Sequence, residues 1–180
     1  MITTTRKAML ASMLTSVFTA ASLSAQADPA IFRDGVMTIP AGATVSGNGG
    51  HYYTDIQLAM HADGSLSVAG ATANSLVSID TVDVQIMESL PLQVSLAISG
   101  NLSVPCVKLL DPAISYTDNT FTVLLAESNL GPAESCIAVL EPFDTTVSLD
   151  VKGLAAGTTY NVDVNGVTAE FTFDSDNSPL

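Results

Sequence analysis

Apolar and polar residues alternate with a period of two over most of the chain after residue 30, the pattern of half-buried β-strands. The alternation is cleanest near the C-terminus. Val147, Leu149 and Val151 are separated by Ser148 and Asp150, and Tyr160, Val162 and Val164 alternate with Asn161 and Asp163. Asn165-Gly166 follows, a pair suited to a two-residue type I′ turn, which needs positive φ at both positions. Such a turn pairs Val164 with Val167, Val162 with Ala169 and Tyr160 with Phe171. Every apolar side chain then falls on one face, and Asn161, Asp163, Thr168, Glu170 and Thr172 on the other. A slip of one residue would reverse them all.

The same reasoning applies upstream. Residues 36–40 read as a short strand ended by Pro40, and residues 41–50 as a loop. Residues 52–60 alternate, with Tyr52, Ile56, Leu58 and Met60 on one face and Tyr53, Asp55 and Gln57 on the other. Ala62-Asp63-Gly64 then turns the chain. A two-residue turn would pair His61 with Leu66 and scramble the faces. A three-residue loop with Gly64 left-handed pairs Met60 with Leu66 and Leu58 with Val68, so a G1 bulge is expected. Residues 71–75 (ATANS) lack a period and are the expected boundary between two modules.

In the second module Val82, Val84 and Ile86 form one strand. Leu92, Val94, Leu96 and Ile98 form the next, after Pro91 at the strand start. A third strand is expected within 104–116, a fourth at Phe121, Val123 and Leu125, and 136–140 brings the chain back. About seven or eight short strands at this spacing predict an all-β immunoglobulin- or fibronectin-III-like antiparallel sandwich, preceded by a small β-meander. The spacing of Leu154, Gly157 and Tyr160 predicts a tyrosine corner, whose hydroxyl bonds back to the preceding backbone; a plain core tyrosine is the alternative. The expected layout is a signal peptide at 1–27, a meander at 28–75, a sandwich at 76–173 and a polar tail at 174–180.

The N-terminus changes the picture of compartment. Arg6-Lys7, an apolar run over 8–23 and Ala25-Gln26-Ala27 are the parts of a cleavable secretory signal. The run is broken by Ser12, Thr15, Ser16 and Thr19, so no stable membrane anchor is expected after cleavage. Residues 28–180 then carry three basic side chains, Arg33, Lys108 and Lys152, against 18 acidic ones, a formal charge of −15. That sign opposes binding to nucleic acid and to anionic membranes. Cys106 and Cys136 are the two cysteines. In an oxidising compartment they are expected to form one disulfide, worth roughly 3–4 kcal/mol for a loop of about 30 residues.

Residues 82–173 are similar to a C-terminal module of bacterial secreted and lipid-anchored proteins of unknown function. The likeness runs through VDVQIMESLPLQVSLAISGNL, a following Cys, NTFTV, a second Cys, EPFDTTVSLDVKGLAAGTTY and VNGVTAEFTF. Residues 35–68 resemble a short β motif of bacterial exported proteins (DGVMTIP, YYTDIQLAM, DGSLSV). The resemblance implies an immunoglobulin-like sandwich and export to the periplasm or beyond. It carries no catalytic residue or ligand. The lipid-anchored forms have an acylated cysteine that this chain lacks.

Candidate chemistry is sparse. His51 and His61 are the only histidines, and on one strand they lie roughly 33 Å apart. No Gly-x-Ser-x-Gly elbow occurs. Glu134 and Glu141, or Asp144 and Asp150, read as solvated carboxylates, not acid–base pairs. Gly47-Asn48-Gly49-Gly50 lacks the Lys-Ser/Thr and helix of a phosphate loop. Asp174, Asp176 and Asn177 lack the rest of a calcium loop, so a frayed tail is expected. No catalytic, metal or cofactor site is therefore assigned. Two functions remain open: a non-catalytic binding module for an envelope or extracellular partner, and a secreted protease inhibitor using the loop 128–134. An enzyme ranks behind both.

Overall fold

The computed structural model describes residues 28–46, 49–89, 91–132, 134–175 and 177; the expected signal peptide lies outside them. The described chain is all-β, with eleven strands in three sheets. Strands β1 (Ile31–Arg33), β2 (Val36–Ser46), β3 (Gly49–Met60) and β4 (Leu66–Asn74) form an antiparallel meander in chain order. The remaining seven form a sandwich. One sheet is β5 (Ser78–Met87), β6 (Gln93–Leu102) and β9 (Glu141–Leu149), with β6 central. The other runs β11 (Val167–Phe171), β10 (Tyr160–Val164), β8 (Thr120–Leu124), β7 (Ala113–Thr117).

Two alternating faces meet between the sandwich sheets. Val94, Leu96 and Ile98 of β6 and Val147 and Leu149 of β9 bury against Phe121, Val123, Val162 and Val164. Each fully buried side chain of this size contributes about 1.5–3 kcal/mol of apolar transfer free energy. The β10–β11 register is as the alternation requires, Tyr160 opposite Phe171, Val162 opposite Ala169 and Val164 opposite Val167. Asn165 and Gly166 both have positive φ, 48° and 93°. The Tyr160 hydroxyl donates to the Ala155 carbonyl at 3.0 Å, completing the tyrosine corner. At the other hairpin Met60 faces Leu66 and Leu58 faces Val68, and Gly64 is left-handed at 82°. His61 N–H donates to Ser65 O at 2.9 Å, which closes the three-residue loop.

Several expectations need correction. Pro40 does not end a strand: β2 continues to Ser46, and 41–46 and 49–50 are strand, not loop. The ladder steps from Ile39–Ile56 to Ala41–Thr54, so Pro40, which has no N–H to give, falls in the gap, near a left-handed Asp55 (φ 52°). Residues 71–74 also belong to a strand, β4. In 104–116 only residues from Ala113 onward are strand. The tail is not frayed at Asn177, which is 3% exposed. Its amide donates to the Leu92 and Val151 carbonyls, and its side-chain oxygen accepts from Leu92 N–H. Finally, the sandwich contains one parallel pair, β8 with β10, because the β7–β8 hairpin docks through its second strand.

The meander joins the sandwich through one face of β3. Tyr52 buries against Leu124 and Ala126, and its hydroxyl donates to the Asp111 carbonyl at 2.8 Å. A Cβ on Gly50 would collide with the Leu124 side chain, so the backbones meet closely there.

Two measurements test this account. In Asn165→Gly the left-handed turn survives, but the carboxamide's three hydrogen bonds are lost, two donated to the Val77 and Leu125 carbonyls and one accepted from Leu125 N–H; urea melts should show a loss of about 2–3 kcal/mol, and an unchanged midpoint would refute the role. Burial, reinforced by the Asp111 charge, raises the Tyr52 phenol above its ordinary 10.0. Its contribution to stability is thus complete below pH 10 and lost as pH rises through the folded value. The alkaline loss should be smaller in Tyr52→Phe.

Candidate functional site

The described residues offer one segment that is irregular, firmly held and apolar on its outside. Residues 128–132 and 134–140, in the connection from β8 to β9, belong to no strand. At the start, Ser128 N–H donates to Lys108 O at 2.8 Å, and Lys108 N–H donates to the Ser128 hydroxyl at 3.0 Å. The Asn129 amide reaches the Ala73 carbonyl on β4 at 3.0 Å. Gly131 N–H donates to the Glu134 carboxylate and Glu134 N–H donates back to Gly131 O, forming a closed turn. The predicted disulfide then anchors the segment: Cys106 and Cys136 are joined, with Cα atoms 6.1 Å apart. β9 fixes its far end at Glu141.

Between these anchors Leu130, Ile137, Val139 and Leu140 are exposed, Ile137 at 67%. Several large apolar side chains exposed along one short segment make it the candidate interaction surface. Glu134 and Glu141 flank it, and the exposed Lys108 lies at its tether. The segment therefore carries exposed apolar residues with acidic neighbours in sequence, held on a scaffold as binding loops generally are. Ordering costs little on binding, because the backbone is already pinned.

The residues singled out by sequence fall elsewhere and have structural jobs. Tyr160, Asn165, Gly166 and Gly64 shape turns and corners. His51 and His61 stand at opposite ends of β3, His61 within 2.8 Å of the Ser67 hydroxyl. Asp144 lies on the outer face of β9 beside Thr81 and Ser99, and Asp150 accepts from Lys152 N–H at 3.2 Å. Of the carboxylates considered for acid–base pairs, Glu134 is spent on its own turn. Asp63 accepts from the Ser65 hydroxyl and then the Ser65 N–H, which lowers its pKa; this serves the β3–β4 turn. Among the described residues no three His, Cys, Asp or Glu side chains converge as metal ligands. Among the exposed aromatics, Tyr116 packs tilted against Phe121, ring centroids 4.5 Å apart, and donates to Asn119, so its ring is partly committed to the sandwich.

The sequence concealed the apolar surface because Cys136-Ile137-Ala138-Val139-Leu140 has the composition of a strand interior. Its meaning depends on whether a facing layer exists. The expectation that 128–134 carries the exposed loop captured Leu130 but stopped short of the more exposed 137–140.

A family model described as the ORF11 beta-sandwich domain matches residues 96–174. No curated protein matches the chain, and no solved structure does. The matched span starts within β6 and ends just past β11, so it takes in the disulfide, the 128–140 segment and six of the seven sandwich strands. No helix among the described residues is long and apolar enough to cross a membrane.

The disulfide gives this surface a redox test. Reduction should remove roughly 3–4 kcal/mol of stability. Hydrogen exchange should accelerate at 135–140 before it does in β6 or β10. Uniform acceleration would mean that the disulfide supports the whole sandwich and not this segment.

Proposed function

We propose that the protein is an exported, non-catalytic β-sandwich binding module that engages an envelope or extracellular protein through the segment 128–140. The observation that carries the reading is the cluster Leu130, Ile137, Val139 and Leu140, exposed on a segment tethered by a disulfide and a pair of hydrogen bonds. Apolar anchors at the centre of a patch, ringed by polar groups, are what protein interfaces use for affinity. Residues Asp28 onward act in a periplasmic or extracellular compartment, where the disulfide is stable. The formal charge of −15 favours a partner that is neutral or basic at its contact, and disfavours nucleic acid.

A protease-directed version of this reading rests on Leu130, exposed between the Ser128 anchor and the disulfide. The turn from Gly131 to Glu134 follows it directly, so the segment is bent where a substrate-like inhibitor loop would be extended.

The test is affinity capture from envelope extract and culture fluid with the oxidised chain 28–180, beside an Ile137→Asp, Leu140→Asp variant. Recovery of a defined protein by the parent chain and at least a tenfold loss in the variant is the expected result. Equal recovery by both would remove 128–140 from the binding role. A recovered protease whose inhibition is lost in Leu130→Asp would favour the inhibitor version.

A further inference from the structure

The β10–β11 turn carries a bond with its own chemistry. Asn165-Gly166 and Asn48-Gly49 are the two Asn-Gly pairs of the chain. In such a pair the backbone nitrogen that follows asparagine can attack the carboxamide carbon, and glycine, with no Cβ, leaves that nitrogen unhindered. At the turn, Gly166 N would lose its proton and bond to Cγ of Asn165. The Cγ–Nδ2 bond would break and release ammonia, leaving a cyclic imide. Water then opens the imide at either carbonyl. One opening gives aspartate, and the other gives isoaspartate, whose main chain runs through the former side chain. Nothing is oxidised or reduced: ammonia leaves and water adds.

The fold holds both reacting groups out of this step. Asn165 Oδ1 accepts from Leu125 N–H at 3.0 Å, and its amide donates to Val77 O at 2.9 Å and to Leu125 O at 2.8 Å. These bonds aim the carboxamide across the sheet, at residues 40 and 88 positions away in sequence, instead of back at its own peptide. Gly166 N–H donates to the Asp163 carboxylate at 2.7 Å. A proton shared with an anion is strongly held, so the attacking nitrogen is restrained as well. Asn165 is only half-buried and Gly166 is exposed, so water reaches the turn. Protection therefore rests on geometry and not on burial.

We propose that Asn165 is a self-modification site, guarded in the folded chain and converted to aspartate or isoaspartate when the β10–β11 turn lifts away from Val77 and Leu125. The conversion is destructive once made. A carboxylate at 165 has no proton to donate, so the Val77 and Leu125 carbonyls lose their donor and face an anion. Isoaspartate also lengthens the main chain inside a two-residue turn, and the register of that hairpin decides which side chains face the core. The position nonetheless suits asparagine. Its φ of 48° is one that asparagine tolerates, and only a carboxamide supplies an acceptor and two donors together. The working life of the folded chain is thus set by how often this turn opens. The inference stands whether or not 128–140 binds a partner.

Timed incubation of the oxidised chain 28–180 at about pH 8 and about 37 °C, in buffer and in about 8 M urea, reads the proposal. Peptide mass spectrometry follows both Asn-Gly pairs and separates aspartate from isoaspartate. In urea Asn165 should react within roughly threefold of Asn48, and in buffer roughly tenfold or more slowly than in urea. Equal rates at Asn165 in the two solvents would overturn the proposal without recourse to any variant. Asp163→Ala frees the Gly166 N–H and leaves the carboxamide bonds in place. It should raise the rate in buffer by roughly twofold or more and leave the rate in urea unchanged; an unchanged rate in buffer would overturn the part assigned to Asp163. Asn165→Asp reproduces one product, and its unfolding equilibrium constant should rise by roughly tenfold or more. A variant as stable as the parent would overturn the destructive outcome.

Discussion

Much of the architecture hangs on four residues, Leu125 to Ser128, that continue β8 beyond its last regular pair. The backbone of 75–77 lies on one side: Leu76 bridges Ala126, Val77 N–H donates to Leu125 O and Glu127 N–H donates to Ser75 O. The segment leading from the disulfide lies on the other, with Leu109 bridged to Glu127 and Leu110 N–H bonded to Ala126 O. The Asn165 carboxamide caps the junction from the β10–β11 turn, and the buried Glu127 carboxylate accepts from Ser103 N–H at 2.8 Å. Meander, disulfide arm and both sandwich sheets are joined here. Buried polar groups so fully satisfied fix one arrangement where apolar packing alone would permit several.

The two halves of the described chain are therefore stabilised differently. The sandwich closes on itself: its core holds seventeen buried residues drawn from both sheets and the connecting segments. The meander has one fully buried aromatic, Tyr52, and depends on the junction and on Gly50 meeting Leu124. Strand pairing alone does not make a sheet stable in water; an apolar face must be covered. That contrast accounts for the exposed Phe32, Met60, Leu66 and Val68 of the meander; the sandwich strands expose Ile86, Met87, Ile114 and Tyr116, and the connection before β9 exposes Ile137, Val139 and Leu140.

What could be read from the sequence follows the same division. Registers at 160–171 and 58–68 were legible because turn chemistry and face parity must agree, and only one loop length satisfied both. Disulfide and tyrosine corner were legible because each is a short-range chemical requirement. The parallel β8–β10 pairing was not, since a polar–apolar period is the same in either direction. Pro40 misled because a proline stops a ladder only where an N–H is demanded, and here none is. Asn177 was invisible for a similar reason: its partners at Leu92 and Val151 are carbonyl and amide groups, which every residue carries. The apolar run at 136–140 was misread because burial belongs to the facing layer and not to the strand that carries the residues.

Asn177 also bears on how the protein is made. Its side chain bridges backbone 85 residues earlier, at Leu92, and 26 residues earlier, at Val151. These contacts cannot form until residue 177 has been delivered. The parallel β8–β10 pair similarly waits for the strand made about 40 residues after it. Contacts of such long range slow folding, because the chain must lose entropy before they form. A chain emerging N-terminus first thus holds its meander and the β5–β6 hairpin while the second sheet is still incomplete. Asn177, once delivered, acts as a latch between the entry to β6 and the exit from β9, so the time spent open is set by its arrival.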